Sequence, residues 1–179
     1  MTGTHHQSGT DRCFEALQRL QDAVDYVINI QGDEPFIQPR QIDRLASALD
    51  GTTELATLVK KIDDPETLFN PNTPKVVLNS RGEAMYFSRQ TVPFQRDREP
   101  ADWLGHHPYY KHIGIYAYRA DVLAAITRLP PSALEQAEAL EQLRWLENGY
   151  RIRAVETELD SHGVDTPADL ERVAARFLP

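Results

Sequence analysis

The sequence predicts an α/β protein, a three-layer sandwich with a mixed, mostly parallel sheet and a β-hairpin insertion. Three observations carry this. Segments rich in β-branched residues alternate along the chain with segments of helical apolar spacing. Val24 to Ile30 is a near-continuous apolar stretch, as expected of a strand buried on both faces. Asn79-Ser-Arg-Gly82 separates two short strand-like runs, the pattern of a hairpin.

The elements follow in order. Ser8-Gly-Thr-Asp11 has capping-box spacing and opens a helix over residues 11–21, with Phe14, Leu17 and Leu20 on one face. The strand at 24–30 is broken by Gln31-Gly-Asp-Glu-Pro35. Pro39 suits the first turn of a helix carried by Ile42, Leu45, Ala46 and Leu49 and stopped at Gly51. Residues 55–62 form the next strand, and Asn70-Pro-Asn-Thr-Pro74 is turn chemistry. Lys75 to Leu78 and Ala84 to Phe87 make the hairpin. Residues 92–111 are polar, aromatic and irregular, and read as a long functional loop. A strand from His112 to Tyr118 and a short helix from Asp121 to Leu129 come next. Ser132 opens one longer helix through Leu146 to a stop at Gly149, and Ile152 to Val155 is the last strand. Thr166-Pro-Ala-Asp169 caps a terminal helix.

Composition narrows the function classes. The 179 residues suit a single domain able to bury a core without staples. A content of 41% hydrophobic and 26% charged residues is that of a soluble globular chain. The net charge of −8 and the lack of a basic stripe argue against a nucleic-acid partner, and no apolar run suggests a membrane one. A single cysteine, Cys13, permits no internal disulfide, and the polar start lacks a signal-peptide pattern, so a cytoplasmic location is expected.

Several polar residues stand where chemistry is usually done. In α/β sheets ligands sit beyond the carboxyl ends of strands, which draws attention to Gln31-Gly-Asp-Glu-Pro35. Asp33 there suits magnesium, a hard cation that prefers oxygen ligands, although position alone favours a turn aspartate bonding its own backbone. Asp165 stands before a helix start, as a second metal ligand or as a favourable charge at the helix end. Ser8, Gly9 and Thr10, with His5 and Arg12, place free N–H groups and a base at a helix N-terminus, which fits an anion or plain capping. Arg89 follows a strand and can grip a carboxylate in a fork. His112 and Tyr116, four apart in a strand, share a face. Glu135, Glu138, Glu141, Gln136 and Gln142 read mainly as a solvated helix face, and His106-His107 as loop residues. No nucleophile motif or Walker-type loop occurs, so a covalent mechanism has no support.

Taken together, the segments resemble the 3-deoxy-manno-octulosonate (Kdo) cytidylyltransferase family. The matching pieces are His6-Gln-Ser-Gly-Thr-Asp-Arg12, Asn29-Ile-Gln-Gly-Asp-Glu-Pro35, Phe69-Asn-Pro-Asn72 with Lys75-Val-Val77, and Tyr86-Phe-Ser-Arg89. Lys111-His-Ile-Gly-Ile-Tyr116, Leu140-Glu-Gln-Leu-Arg144 and Gly163-Val-Asp-Thr-Pro167 continue the series in the family's order.

The resemblance implies a nucleotide-diphospho-sugar transferase-like, Rossmann-like fold and an enzyme that moves CMP from CTP to Kdo for lipopolysaccharide synthesis. It implies Asp33 and Asp165 as Mg2+ ligands and, with Arg89, as catalytic residues. Gln31, Arg89, His112, Tyr116, Glu141 and Gln142 become contacts to the sugar acid, and Ser8, Gly9 and Thr10 lie near the nucleotide. It also implies a homodimer formed through an insertion at about residues 80–116. Met1-Thr2 matches an internal Met-Thr of the family, so roughly a third of a full-length member, including the strands and loop that grip the triphosphate, is expected to precede it. An inactive fragment of such an enzyme, or one specific for an analogue such as 8-amino-Kdo, is the alternative reading.

Overall fold

The computed structural model describes residues 1–160 other than Gln7, Asp33 and Pro35, and also Glu171. The terminal helix expected from Thr166 onward lies outside the described residues.

The chain opens with α1 (Gly9–Gln18), where the Ser8 hydroxyl oxygen accepts the Asp11 N–H at 3.1 Å, as the capping spacing predicts. β1 (Tyr26–Ile30), α2 (Pro39–Ala46) and β2 (Leu55–Lys61) follow. The short α3 (Pro65–Phe69) was not expected. Its signal was present in Asp64-Pro65: the Asp64 carboxylate accepts the Thr67 N–H at 2.7 Å and proline sits in the first turn. The hairpin is β3 (Lys75–Leu78) and β4 (Ala84–Ser88), turned by Gly82 at a φ of 75° that only glycine adopts without strain. The segment read as one long loop holds a 3-10 turn (Pro100–Asp102) and α4 (Trp103–His106), packed as a small apolar cluster of Trp103, Tyr109, Leu68 and Ile62. β5 (Tyr110–Arg119) is longer than expected at both ends, and α5 (Ala120–Ile126) follows it directly.

The single long helix expected from Ser132 is two helices, α6 (Ala133–Glu138) and α7 (Gln142–Glu147), before β6 (Ile152–Glu156). Apolar periodicity runs through the break and hides it. The break lies at Ala139, whose left-handed φ of 51° costs about 1 kcal/mol for a non-glycine residue and is held by contacts from elsewhere in the fold.

The six described strands form one mixed sheet, ordered β4-β3-β5-β2-β6, with β1 also paired to β5. The expectation of a mostly parallel sheet needs correction at the level of pairing. β1, β2, β3 and β6 do run one way, but β5 runs against them between β1 and β2, so only β2–β6 is a parallel ladder. β1 is not buried on both faces either: Ile30 is 46% exposed, because β1 has a strand neighbour on one side only among the described residues.

The three layers follow from alternation along β2 and β5. Leu55, Val59, Tyr116 and Tyr118 face α5 and α7 in a core with Leu123, Leu143 and Trp145. Ala56, Leu58, Ile113, Ile115 and Ala117 face α2 through Leu45. Trp145 is fully buried, and replacing it by alanine should remove about 3–5 kcal/mol of stability.

Candidate active site

The site grows from the way β5 shares one of its edges. Along that edge β3 pairs with Tyr110 and Lys111, and β1 pairs with Ile115 to Arg119. Among the described residues no strand covers His112 to Gly114 there, and the His112 N–H bonds to the Pro74 carbonyl at 2.9 Å instead. Gly114 lies at this opening. A Cβ placed on it would come 3.5 Å from Glu34 Oε1 and 4.0 Å from Gln31 Nε2, so both side chains from the end of β1 reach over the gap.

An aromatic row lines the same face. The His112 and Tyr116 rings are 5.2 Å apart, and Tyr116 meets Trp145 of α7 edge-on at 5.0 Å. Phe87 of β4 meets His112 edge-on at 5.3 Å. The predicted shared face of His112 and Tyr116 is therefore present. His112 is half-buried as a residue, and the surrounding protein strips water from its ring and pushes its pKa down to about 3. The ring is neutral near pH 7.

Two buried polar atoms make no well-formed hydrogen bond among the described residues: the Tyr116 hydroxyl and the Gln142 amide nitrogen. Thr57 lies beside Tyr116 and is its weak hydrogen-bonding neighbour, but the Thr57 proton is taken by the Ile115 carbonyl at 2.8 Å and its oxygen faces the His112 ring. Burial raises the Tyr116 pKa well above the ordinary value, so the hydroxyl keeps its proton as a donor. Gln142 lies in the first turn of α7, one helical turn before Trp145, which packs on Tyr116. Buried polar groups are normally satisfied, so such a pair marks a place built for a ligand. Two shallow surface hollows elsewhere, one along Tyr26, Leu49 and Arg119 and one along Arg40, Arg44 and Glu156, contain neither atom.

Arg89 projects from the end of β4 into the break between α6 and α7. Its Nε donates to the Glu138 carbonyl at 2.7 Å, and its two terminal nitrogens to Pro71 O and Ala139 O, each at 3.3 Å. A guanidinium carries five N–H groups, so one on each terminal nitrogen is left over. The Glu138 carboxylate accepts from Ser88 Oγ at 2.7 Å and from the Arg89 main-chain N–H at 2.9 Å. Behind Arg89 stands Lys75, fully buried, whose ammonium donates to Asn70 O, Thr73 O and Arg89 O at 2.8, 2.7 and 2.7 Å. Burial pulls its pKa down to about 8, and all three of its protons are committed to carbonyls. It builds the site and has no donor left for a ligand.

Glu141 is the next surprise of position. Thr10 donates to its Oε2 at 2.8 Å, and the Tyr118 hydroxyl, 3.3 Å from Thr10 Oγ1, completes the chain as donor to Thr10. Burial is the main reason its pKa is raised. The reading of the α6–α7 acids as a solvated face is thus overturned: Glu141 bonds Thr10, Glu138 grips Arg89, and Glu135 forks onto Arg144. Thr10, expected near the nucleotide, is 2% exposed with its hydroxyl bonded to Glu141, and Gly9 and Thr10 stand in the first turn of α1, whose leading N–H groups have no partner within the helix.

At the carboxyl end of β2, Lys60 and Lys111 share Asp160, at 2.9 and 2.5 Å. Burial opposes the Asp160 charge, but these two bonds hold its pKa below the usual value. Asp33 and Asp165, the expected metal ligands, lie outside the described residues. Sequence reasoning missed Thr57, Lys75, Glu138 and Asp160 as parts of this region. Only Lys75, inside the quoted Lys75-Val-Val77, carried a signal.

Comparison with known proteins decides the family. A cytidylyltransferase family model matches residues 1–152. The 3-deoxy-manno-octulosonate cytidylyltransferase of Cytophaga hutchinsonii is 63% identical over 94% of this chain and 68% of its own length. The chain belongs to this cytidylyltransferase family. The enzyme of the same name from Parabacteroides distasonis is 56% identical over 98% of this chain and 72% of its own length. A solved CMP:2-keto-3-deoxy-manno-octonic acid synthetase, complexed with CTP, superposes with a TM-score of 0.86 at 44% identity, covering 98% of this chain and 70% of that one. Membership makes the chain a nucleotidyltransferase and accounts for the mixed α/β sheet.

Proposed function

We propose that the chain carries the sugar-acid site of an enzyme that transfers CMP from CTP to Kdo, giving CMP-Kdo and pyrophosphate for lipopolysaccharide synthesis. The observation that supports it most is two buried polar groups, Tyr116 Oη on the face it shares with His112 and Gln142 Nε2 on the helix packed against Tyr116, in a chain of this family. A sugar acid is rich in hydroxyls that such groups can hold.

The roles follow from what each group has left to give. Arg89 offers one N–H from each terminal nitrogen, a pair suited to the two oxygens of a carboxylate. The neutral His112, the Tyr116 hydroxyl and the Gln142 amide hold sugar hydroxyls, with Gln31 over the opening. Glu141 is anchored by Thr10 at the same end of α7. The anomeric hydroxyl then attacks the α-phosphorus of CTP, the bond to pyrophosphate breaks, and the hydroxyl proton is released. Catalysis is positioning and charge neutralisation, and no protein nucleophile is needed.

Magnesium fits the donors at the end of β1, where the described neighbour of Asp33, Glu34, points a hard carboxylate oxygen toward the Gly114 gap. Asp33 and Asp165 would hold it, and it would neutralise charge growing on phosphate oxygens. Residues 80–116 present Phe94, 73% exposed and edge-on to Trp103 at 5.3 Å, which supports a homodimer interface there. Among the described residues no helix is long and apolar enough to cross a membrane. The free Cys13 fits a reducing cytoplasm.

The test is pyrophosphate release by the full gene product that contains this chain, with CTP, Kdo and Mg2+ omitted in turn. Release only when all three are present, with CMP-Kdo identified by mass, is the expected result. Release without the sugar, or none with all three, overturns the reading. Arg89→Lys should raise the KM for Kdo about tenfold or more, because an ammonium cannot present two parallel N–H groups.

A further inference from the structure

Where β2 meets β5 the register slips: Thr57 pairs with Tyr116, but the next residue, Leu58, pairs with Ile113. Two β5 residues are left without a β2 partner, and because two is even the side-chain alternation survives. Thr57 sits across this bulge, fully buried. Its hydroxyl oxygen lies 2.8 Å from Ile115 O, 3.3 Å from Ile113 O and 3.0 Å from His112 Nε2.

These three contacts have one consistent proton assignment. A hydroxyl has one proton to donate, and carbonyl oxygens can only accept. The Thr57 proton therefore goes to the carbonyls, with Ile115 O the nearer. Toward the ring, the Thr57 oxygen acts as acceptor, so His112 Nε2 must carry a hydrogen. A neutral imidazole has one N–H, which leaves Nδ1 with a bare lone pair. The edge-on Phe87 ring at 5.3 Å and the Tyr116 ring at 5.2 Å restrict rotation of the imidazole.

We propose that Thr57 is a positioning residue that fixes His112 as its Nε2–H tautomer, so that the ring meets the substrate as a hydrogen-bond acceptor through Nδ1. The part of this that concerns substrate rests on the sugar-acid reading above, and the tautomer itself does not. Under that reading the ring selects a hydroxyl donor on the sugar, while Tyr116 and Gln142 donate.

The experiment is nitrogen NMR of the protein labelled at its histidine rings, near pH 7, with His112 assigned by loss of its signals in His112→Gln. The expected spectrum shows a protonated Nε2 and a bare Nδ1. Thr57→Val, which keeps shape and removes the hydroxyl, should mix or reverse the tautomers, and Thr57→Ser should restore them. In the full gene product Thr57→Val should raise the KM for Kdo about tenfold while the KM for CTP holds. A wild-type ring protonated at Nδ1 overturns the proposal even if Thr57→Val does not fold. So does an unchanged tautomer in a folded Thr57→Val protein. A changed tautomer with an unchanged KM for Kdo overturns the substrate half alone, and absence of any CMP transfer by the wild type rejects the functional reading while the NMR result stands.

Discussion

Thr10 and Glu141, 131 residues apart in the chain, are joined by a 2.8 Å hydrogen bond between the first turn of α1 and the start of α7. The bond ties the segment expected near the nucleotide to the segment expected at the sugar acid. Thr10→Val should deprive the half-buried Glu141 carboxylate of its Thr10 donor, raise its pKa further and lower stability by about 1–2 kcal/mol. Urea unfolding at pH 7 measures the loss, and Thr10→Ser should recover most of it. Equal midpoints for Thr10→Val and wild type would remove the bond from any structural role.

Lys75 holds three main-chain carbonyls, including that of Arg89. Lys75→Met fills similar space but orphans the Thr73 and Arg89 carbonyls and leaves Asn70 O only the Thr73 N–H, with an expected loss of roughly 2–5 kcal/mol read from chemical unfolding. Lys75→Arg should not rescue it, because a planar fork cannot direct its donors to three converging oxygens.

Gly114→Ala tests the opening directly. The added methyl would meet Glu34 Oε1 at 3.5 Å and Gln31 Nε2 at 4.0 Å, ordinary contacts that disturb no backbone. Thermal stability should stay within about 1 kcal/mol of wild type. Affinity for Kdo, measured by calorimetry, should fall, because the methyl enters the space between His112 and Tyr116. Unchanged affinity would place the sugar elsewhere.

His112 supplies a pH dependence whose sign can be worked out. Its folded pKa lies near 3, below the ordinary 6.5, so between these values the unfolded chain binds the extra proton. Stability contributed by this group is therefore complete above pH 6.5 and is lost as pH falls toward 3. Unfolding midpoints should drop between pH 6.5 and 5 in the wild type and drop less in His112→Gln. Parallel slopes would show that the ring is not the group responsible.

Much of this molecule was legible in one dimension. Helix starts at Ser8 and Pro39, the strand at 55–61, the hairpin turn at Gly82 and the shared face of His112 and Tyr116 depend on periods and turn chemistry within a few residues. Those interactions are encoded where they act, so the sequence by itself determined the element types, the α/β class and, through its family segments, the chemistry to look for. The tertiary structure alone decided which polar groups meet. The inward turn of Thr10, the left-handed Ala139 that splits α6 from α7, the carbonyl cage around Lys75 and the bulge under Thr57 each depend on partners far away in the chain. Local propensity carries no information about such partners. They are selected because a buried donor or acceptor must be satisfied by whatever the fold brings within about 3 Å.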